Sequence, residues 1–81
     1  MNESEIRDRL RSWILERVEK PPDGGLSDDA PILEAGLLSS LQVVELILYI
    51  ESLRGEEVEL DLLKPQALTN LDTLYATFFQ P

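Results

Sequence analysis

The sequence predicts an all-α domain: a small antiparallel four-helix bundle with three main helices, one short helix and a long first loop. Two observations lead there. The 81 residues allow a single domain spanning 1–81, and an apolar content of 43% is enough to build a core. Apolar residues also recur at steps of three and four in separate stretches, with prolines, glycines and capping residues between them. There is no internal repeat and no low-complexity segment.

Asn2 or Ser4 can cap the first helix. Ile6, Leu10, Trp13, Ile14 and Val18 form one helical stripe, with Arg and Glu on the other faces. Trp13 is expected in the core. Pro21 and Pro22 are expected to end the helix, with Asp23, Gly24 and Gly25 as a turn. Leu26 to Leu38 is a long connection broken by Pro31 and Gly36. Its Leu26, Ile32, Leu33, Leu37 and Leu38 are too apolar for a free loop and should pin it to the helices. Asp28 and Asp29 lack the alternating oxygen ligands and closing glutamate of a calcium loop.

Ser39-Ser40-Leu41-Gln42 reads as a capping box, with Ser39 as N-cap and Gln42 three residues on. Leu41, Val43, Val44, Leu46, Ile47, Leu48 and Ile50 then cover nearly every azimuth, which predicts a central, largely buried helix. Its wettest line should be Gln42, Glu45, Tyr49 and Ser52. Gly55 is the expected stop, with Arg54 suiting the negative end of the helix dipole. Glu56 to Leu60 reads as extended loop with Val58 and Leu60 turned inward. Asp61 should cap a short helical piece through Lys64, with Pro65 interrupting or restarting it. Thr69 or Asn70 begins the last helix, whose stripe is Leu71, Leu74, Tyr75 and Phe78.

Charge narrows the function. Residues 1–20 hold five acids and five bases, whereas residues 21–81 hold eleven acids against Arg54 and Lys64, so the whole net charge of −9 lies after position 20. Phosphate backbones require a basic footprint, which argues against nucleic acid, and an anionic membrane is disfavoured on the same grounds. Leu41 to Ile50 is too short to span a bilayer and is interrupted by Gln42 and Glu45. The polar stretch Met1 to Asp8 does not resemble a signal peptide. The expectation is a discrete, cytoplasmic, monomeric protein whose partners carry basic patches. Without cysteine or histidine, thiolate metal sites and imidazole catalysis are excluded. Serine has no evident base, so the expectation is a non-enzyme with no metal.

The stretch Ala30-Pro31-Ile32-Leu33-Glu34-Ala35-Gly36-Leu37-Leu38-Ser39-Ser40-Leu41-Gln42-Val43-Val44-Glu45-Leu46 resembles the phosphopantetheine attachment region of acyl carrier proteins. Ser40-Leu41 matches the Ser-Leu of the family's Asp-Ser-Leu signature, and Val44-Glu45-Leu46 matches the Val-Glu-Leu that follows. Pro65 to Leu74 is similar to the family's segment joining its short third helix to its fourth. With the first helix and long loop, the resemblance covers nearly the whole chain.

The resemblance implies covalent carriage. A phosphopantetheinyl transferase would move 4′-phosphopantetheine from coenzyme A onto Ser40, and the arm's thiol would hold an acyl group as a thioester for partner enzymes of fatty acid, polyketide or related specialised biosynthesis. Ser39, Leu41, Gln42, Glu45, Glu51, Glu56 and Glu57 would contact partners. Val44, Leu62 and Leu68 would border an interior that shelters the acyl chain. Ser39 stands where the family usually has aspartate, and Gln42 is neutral where many carriers have an acid. That pair points to a dedicated transferase and partner set, and it leaves Ser39 as the competing attachment residue. An aminoacyl or peptidyl carrier and an unmodified acidic helical adaptor are the alternative functions.

Overall fold

The computed structural model describes residues 1–18 and 24–80. Three α-helices, α1 (Glu3–Arg17), α2 (Ser40–Arg54) and α3 (Leu71–Phe78), carry the fold, and no strand occurs among the described residues. In place of one short α-helix, two 3₁₀ turns, Leu60–Leu62 and Pro65–Leu68, join α2 to α3. Asp61 lies inside the first turn and does not cap it. Pro65 opens the second, where its missing N–H costs nothing.

Helix α1 starts where the Asn2 side chain accepts from the Glu5 amide at 2.8 Å. It ends at Val18, whose backbone is extended, earlier than the proline pair suggests. Pro21, Pro22 and Asp23 lie outside the described residues. Ile6, Leu10, Trp13 and Ile14 are buried as the stripe predicts. Helix α3 is capped reciprocally: Asn70 accepts from the Thr73 amide, and the Asn70 amide donates to the Thr73 hydroxyl. Leu71, Leu74 and Phe78 are buried, and Tyr75 is half-buried. Helices α1 and α3 pack together, and the second 3₁₀ turn packs on α3.

The long first loop is tied down at both ends. Leu26, Ile32 and Leu38 enter the core and Leu37 is half-buried, but Leu33 stays exposed, contrary to expectation. The Ile32 amide donates to the Thr69 carbonyl at 2.8 Å, and the Asp72 amide donates to the Asp28 carbonyl at 3.1 Å. Asp28 also joins two arginines. Arg7 Nη1 contacts its Oδ2 at 2.8 Å and Arg11 Nη2 contacts its Oδ1, while Arg7 also bridges Glu3 and Asp72. Asp28 is therefore the hinge pin of an ion-pair lattice joining α1, the loop and α3. Gly36 turns the loop toward α2 at φ 67°, a conformation that disfavours any side chain. The radius of gyration, 11.7 Å, matches the value of about 12 Å expected for a compact chain of this length.

Helix α2 departs most from expectation. Only Leu46 and Ile50 are buried, while Leu41, Val44 and Leu48 are 70%, 56% and 60% exposed. With Glu45 and Ser52 they form the outer face at steps of three and four. The predicted wet line is also wrong at Tyr49, whose ring stacks on Trp13 at 5.7 Å between centroids. A small domain has too little chain to cover a helix on every side, so an all-apolar helix must leave one side bare.

Candidate functional site

The site forms where the first loop delivers the chain to α2. Ser39 is the N-cap: its hydroxyl accepts from the Gln42 amide at 3.2 Å, and its amide donates to Gln42 Oε1 at 2.9 Å. Both halves of the predicted capping box are made. Ser40 is the first helical residue and is exposed, and no side-chain hydrogen bond involves it among the described residues. The two serines thus differ in kind. One hydroxyl is occupied in holding the helix end, and the other is available for chemistry. The open backbone N–H groups and positive dipole end of α2 lie beside Ser40, where an added phosphodiester would be favoured. An exposed hydroxyl on a capped helix start suits a covalently attached group, because attachment there need not disturb the cap.

The other candidate residues divide. Leu41, Glu45 and Glu57 are exposed and accessible to a partner. Gln42 is half-buried and serves the fold: besides its cap, its Nε2 donates to the Arg17 carbonyl at 3.4 Å, tying α2 to the end of α1. Glu51 is also half-buried, and its Oε2 accepts from the Val58 amide at 2.8 Å. It holds the strap that leaves α2. Glu56 pairs with Arg54 Nη2 at 3.3 Å and so offers a partly neutralised charge. Of the three residues suggested to border an interior, Leu62 and Leu68 are half-buried against the core and Val44 is not. Val44 faces outward, and the hollow beside Leu62 is lined by residues such as Lys64, Ala67, Thr73 and Ala76.

Two features were not legible as functional. Val44 and Leu48 extend Leu41 into an exposed apolar face that starts at the residue after Ser40. The near-uniform apolar coverage of α2 in so short a chain was the available signal. The second feature is a hollow of about 450 Å³ between Arg17 and Val18, the chain from Ala35 to Ser39, and Gln42. It depends on where the loop returns to α1, which no local pattern encodes.

No helix among the described residues is long and apolar enough to cross a membrane. No protein-family model matches the chain, and no curated protein matches it.

Proposed function

We propose that the chain is an acyl carrier protein that receives 4′-phosphopantetheine on Ser40 and presents thioester intermediates to partner enzymes. The observation carrying this reading is the division of labour between the serines: Ser39 is bound into the cap, and Ser40 is exposed beside it at the first turn of α2. The family resemblance of residues 30–46 and 65–74 stands beside it. In the transfer, a bond forms between Ser40 Oγ and the phosphorus next to pantetheine. The pyrophosphate bond of coenzyme A breaks, the adenosine bisphosphate leaves, and the serine proton passes to a base on the transferase. Once attached, the arm supplies the thiol that the chain lacks. The chain performs no catalysis of its own.

Partner docking in this reading falls on the outer face of α2. Leu41, Val44 and Leu48 supply apolar contact, and Glu45 supplies a charge that steers a basic rim. An aminoacyl or peptidyl cargo is the second reading. It is favoured by the outward position of Val44 and by the scarcity of acids on that face, both of which suit a carrier that does not engulf a long acyl chain. The cytoplasm is the proposed compartment, and the partners are proteins.

The test is intact mass after incubation with coenzyme A, magnesium and a broad-specificity phosphopantetheinyl transferase, for wild type, Ser39→Ala and Ser40→Ala. One added phosphopantetheine, absent only in Ser40→Ala, is expected. Loss only in Ser39→Ala would move the attachment by one residue. No addition to wild type, even with transferases from the native host, would favour the unmodified adaptor.

A further inference from the structure

The hollow between the end of α1 and the loop before α2 has an unusual charge for this molecule. The chain holds 16 acids against 7 bases, yet Arg17 is the one charged residue among the described residues that line the hollow. The rest of the wall is apolar or neutral, with Val18, Leu37 and Leu38 beside Gly36, Ser39 and Gln42. Its volume, about 450 Å³, lies within the range of roughly 300–1,000 Å³ typical of small-molecule sites.

Arg17 is held in place before any ligand arrives. Its guanidinium lies 3.7 Å from the centre of the Trp13 ring, and its Nη1 donates to the Trp13 carbonyl at 3.0 Å. Trp13 is in turn stacked on Tyr49, so the cation rests on a braced aromatic surface. Its ion pair with Glu16 is long, at 3.7 Å, and exposed on the carboxylate side. The guanidinium is drawn back over Trp13, which does not line the hollow, so Arg17 bears on an anion there through its charge and not through a direct contact. At Gly36 no atom lies within 4 Å of the place a Cβ would occupy, so the backbone is open there; the Gly36 and Leu37 amides already donate to the Leu33 and Ile32 carbonyls, which leaves carbonyl oxygens as the groups to offer.

We propose that this hollow is a resting seat for the arm carried by Ser40. The inference rests on the carrier reading and adds where the arm lies when no partner holds it. The arm combines an anionic phosphodiester, two amides and short apolar links. Those chemistries match, in turn, the field of Arg17, the exposed backbone around Gly36, and the apolar wall of Val18, Leu37 and Leu38. Ser39 and Gln42 belong both to the wall and to the helix start that bears Ser40, so the seat adjoins the attachment point. The arm would fold back toward α1, away from the apolar outer face of α2, leaving that face open to partners.

Nitrogen-edited NMR of the protein before and after arm attachment tests the proposal, with attachment verified by intact mass on the same sample. Seating should shift the amides of Val18, Gly36, Leu37 and Leu38 in addition to those flanking Ser40. Trp13 fluorescence should change with them. In Arg17→Gln, the Val18 and Gly36–Leu38 shifts should fall by half or more, and Arg17→Lys should keep most of them. Attachment with shifts confined to Ser39, Ser40 and Leu41 would overturn the seat and leave the carrier reading standing. Equal shifts in wild type and Arg17→Gln would remove Arg17 from it. No mass gain would overturn both.

Discussion

Helices α1 and α2 are the same length, 15 residues each, yet they use apolar residues in opposite ways. Helix α1 has a narrow stripe and buries nearly all of it, with charged side chains over the rest. Helix α2 is apolar almost all round, buries only Leu46 and Ile50, and displays Leu41, Val44 and Leu48. The tie to the loop differs too. Arg7 and Arg11 on α1 grip Asp28 and Arg7 alone reaches Asp72 on α3, whereas the start of α2 is fixed mainly by its own cap and by Gln42 reaching the Arg17 carbonyl. One side of the molecule is built for stability. The other keeps apolar surface that the core does not use and sets an available serine at its edge.

The largest expected effect tests the burial half of this contrast. Leu10→Ala or Leu74→Ala should cost ~2–5 kcal/mol in denaturant unfolding, because each leaves a cavity in the core. Leu48→Ser should change stability by less than about 0.5 kcal/mol, since its side chain is largely solvated. Equal losses at Leu48 and Leu74 would erase the distinction between the helices.

The serines provide the next contrast. Ser39→Ala should cost about 1 kcal/mol through the lost cap. Ser40→Ala should stay within about 0.5 kcal/mol of wild type while abolishing attachment. A Ser40 variant as unstable as the Ser39 variant would mean that both hydroxyls serve the fold.

The ion-pair lattice is expected to contribute about as much in low salt. Asp28→Asn should cost about 1 kcal/mol, an effect that shrinks as salt is added. Arg7 is held above its ordinary range, first by the Asp72 hydrogen bond, with desolvation opposing and Glu3 and Asp28 assisting. A cation with a raised folded-state pKa stabilises fully below its unfolded pKa, and loses that only as pH rises through the folded value. Mild alkali should therefore leave Arg7's contribution intact, and salt is the variable that probes it.

The smallest effect should come from Glu45→Gln. It should slow partner association at low salt and leave the dissociation rate nearly unchanged, as measured by surface-bound kinetics. A Val44→Ser and Leu48→Ser double variant should instead speed dissociation. If Glu45→Gln dominated both rates, docking would be governed by charge and not by the apolar face.

Much of this organisation was legible in the sequence because it is local. The caps at Asn2, Ser39 and Asn70, the Gly55 stop at φ 76°, and the stripes of α1 and α3 all follow from neighbours within a few residues. What escaped depends on distant parts of the chain. Tyr49 looked like a solvent-facing residue until Trp13 met it, and nothing near Glu51 marked the Val58 amide that donates to it. Val44 looked buried because apolar residues cover nearly every azimuth of its helix, and only the shortage of covering chain exposes it. At the candidate site, the capping box and the first-turn position of Ser40 were readable, whereas the Arg17 hollow needed the tertiary return of the loop.

The most direct measurement is fragment-ion mass spectrometry of the wild-type chain after treatment with coenzyme A and the transferase, read across Ser39 to Gln42. It needs no substitution, so altered folding cannot imitate the result. The expected outcome is a phosphopantetheine on Ser40 with Ser39 unmodified. Modification on Ser39, or none on either serine, would contradict the division between a capping hydroxyl and an available one.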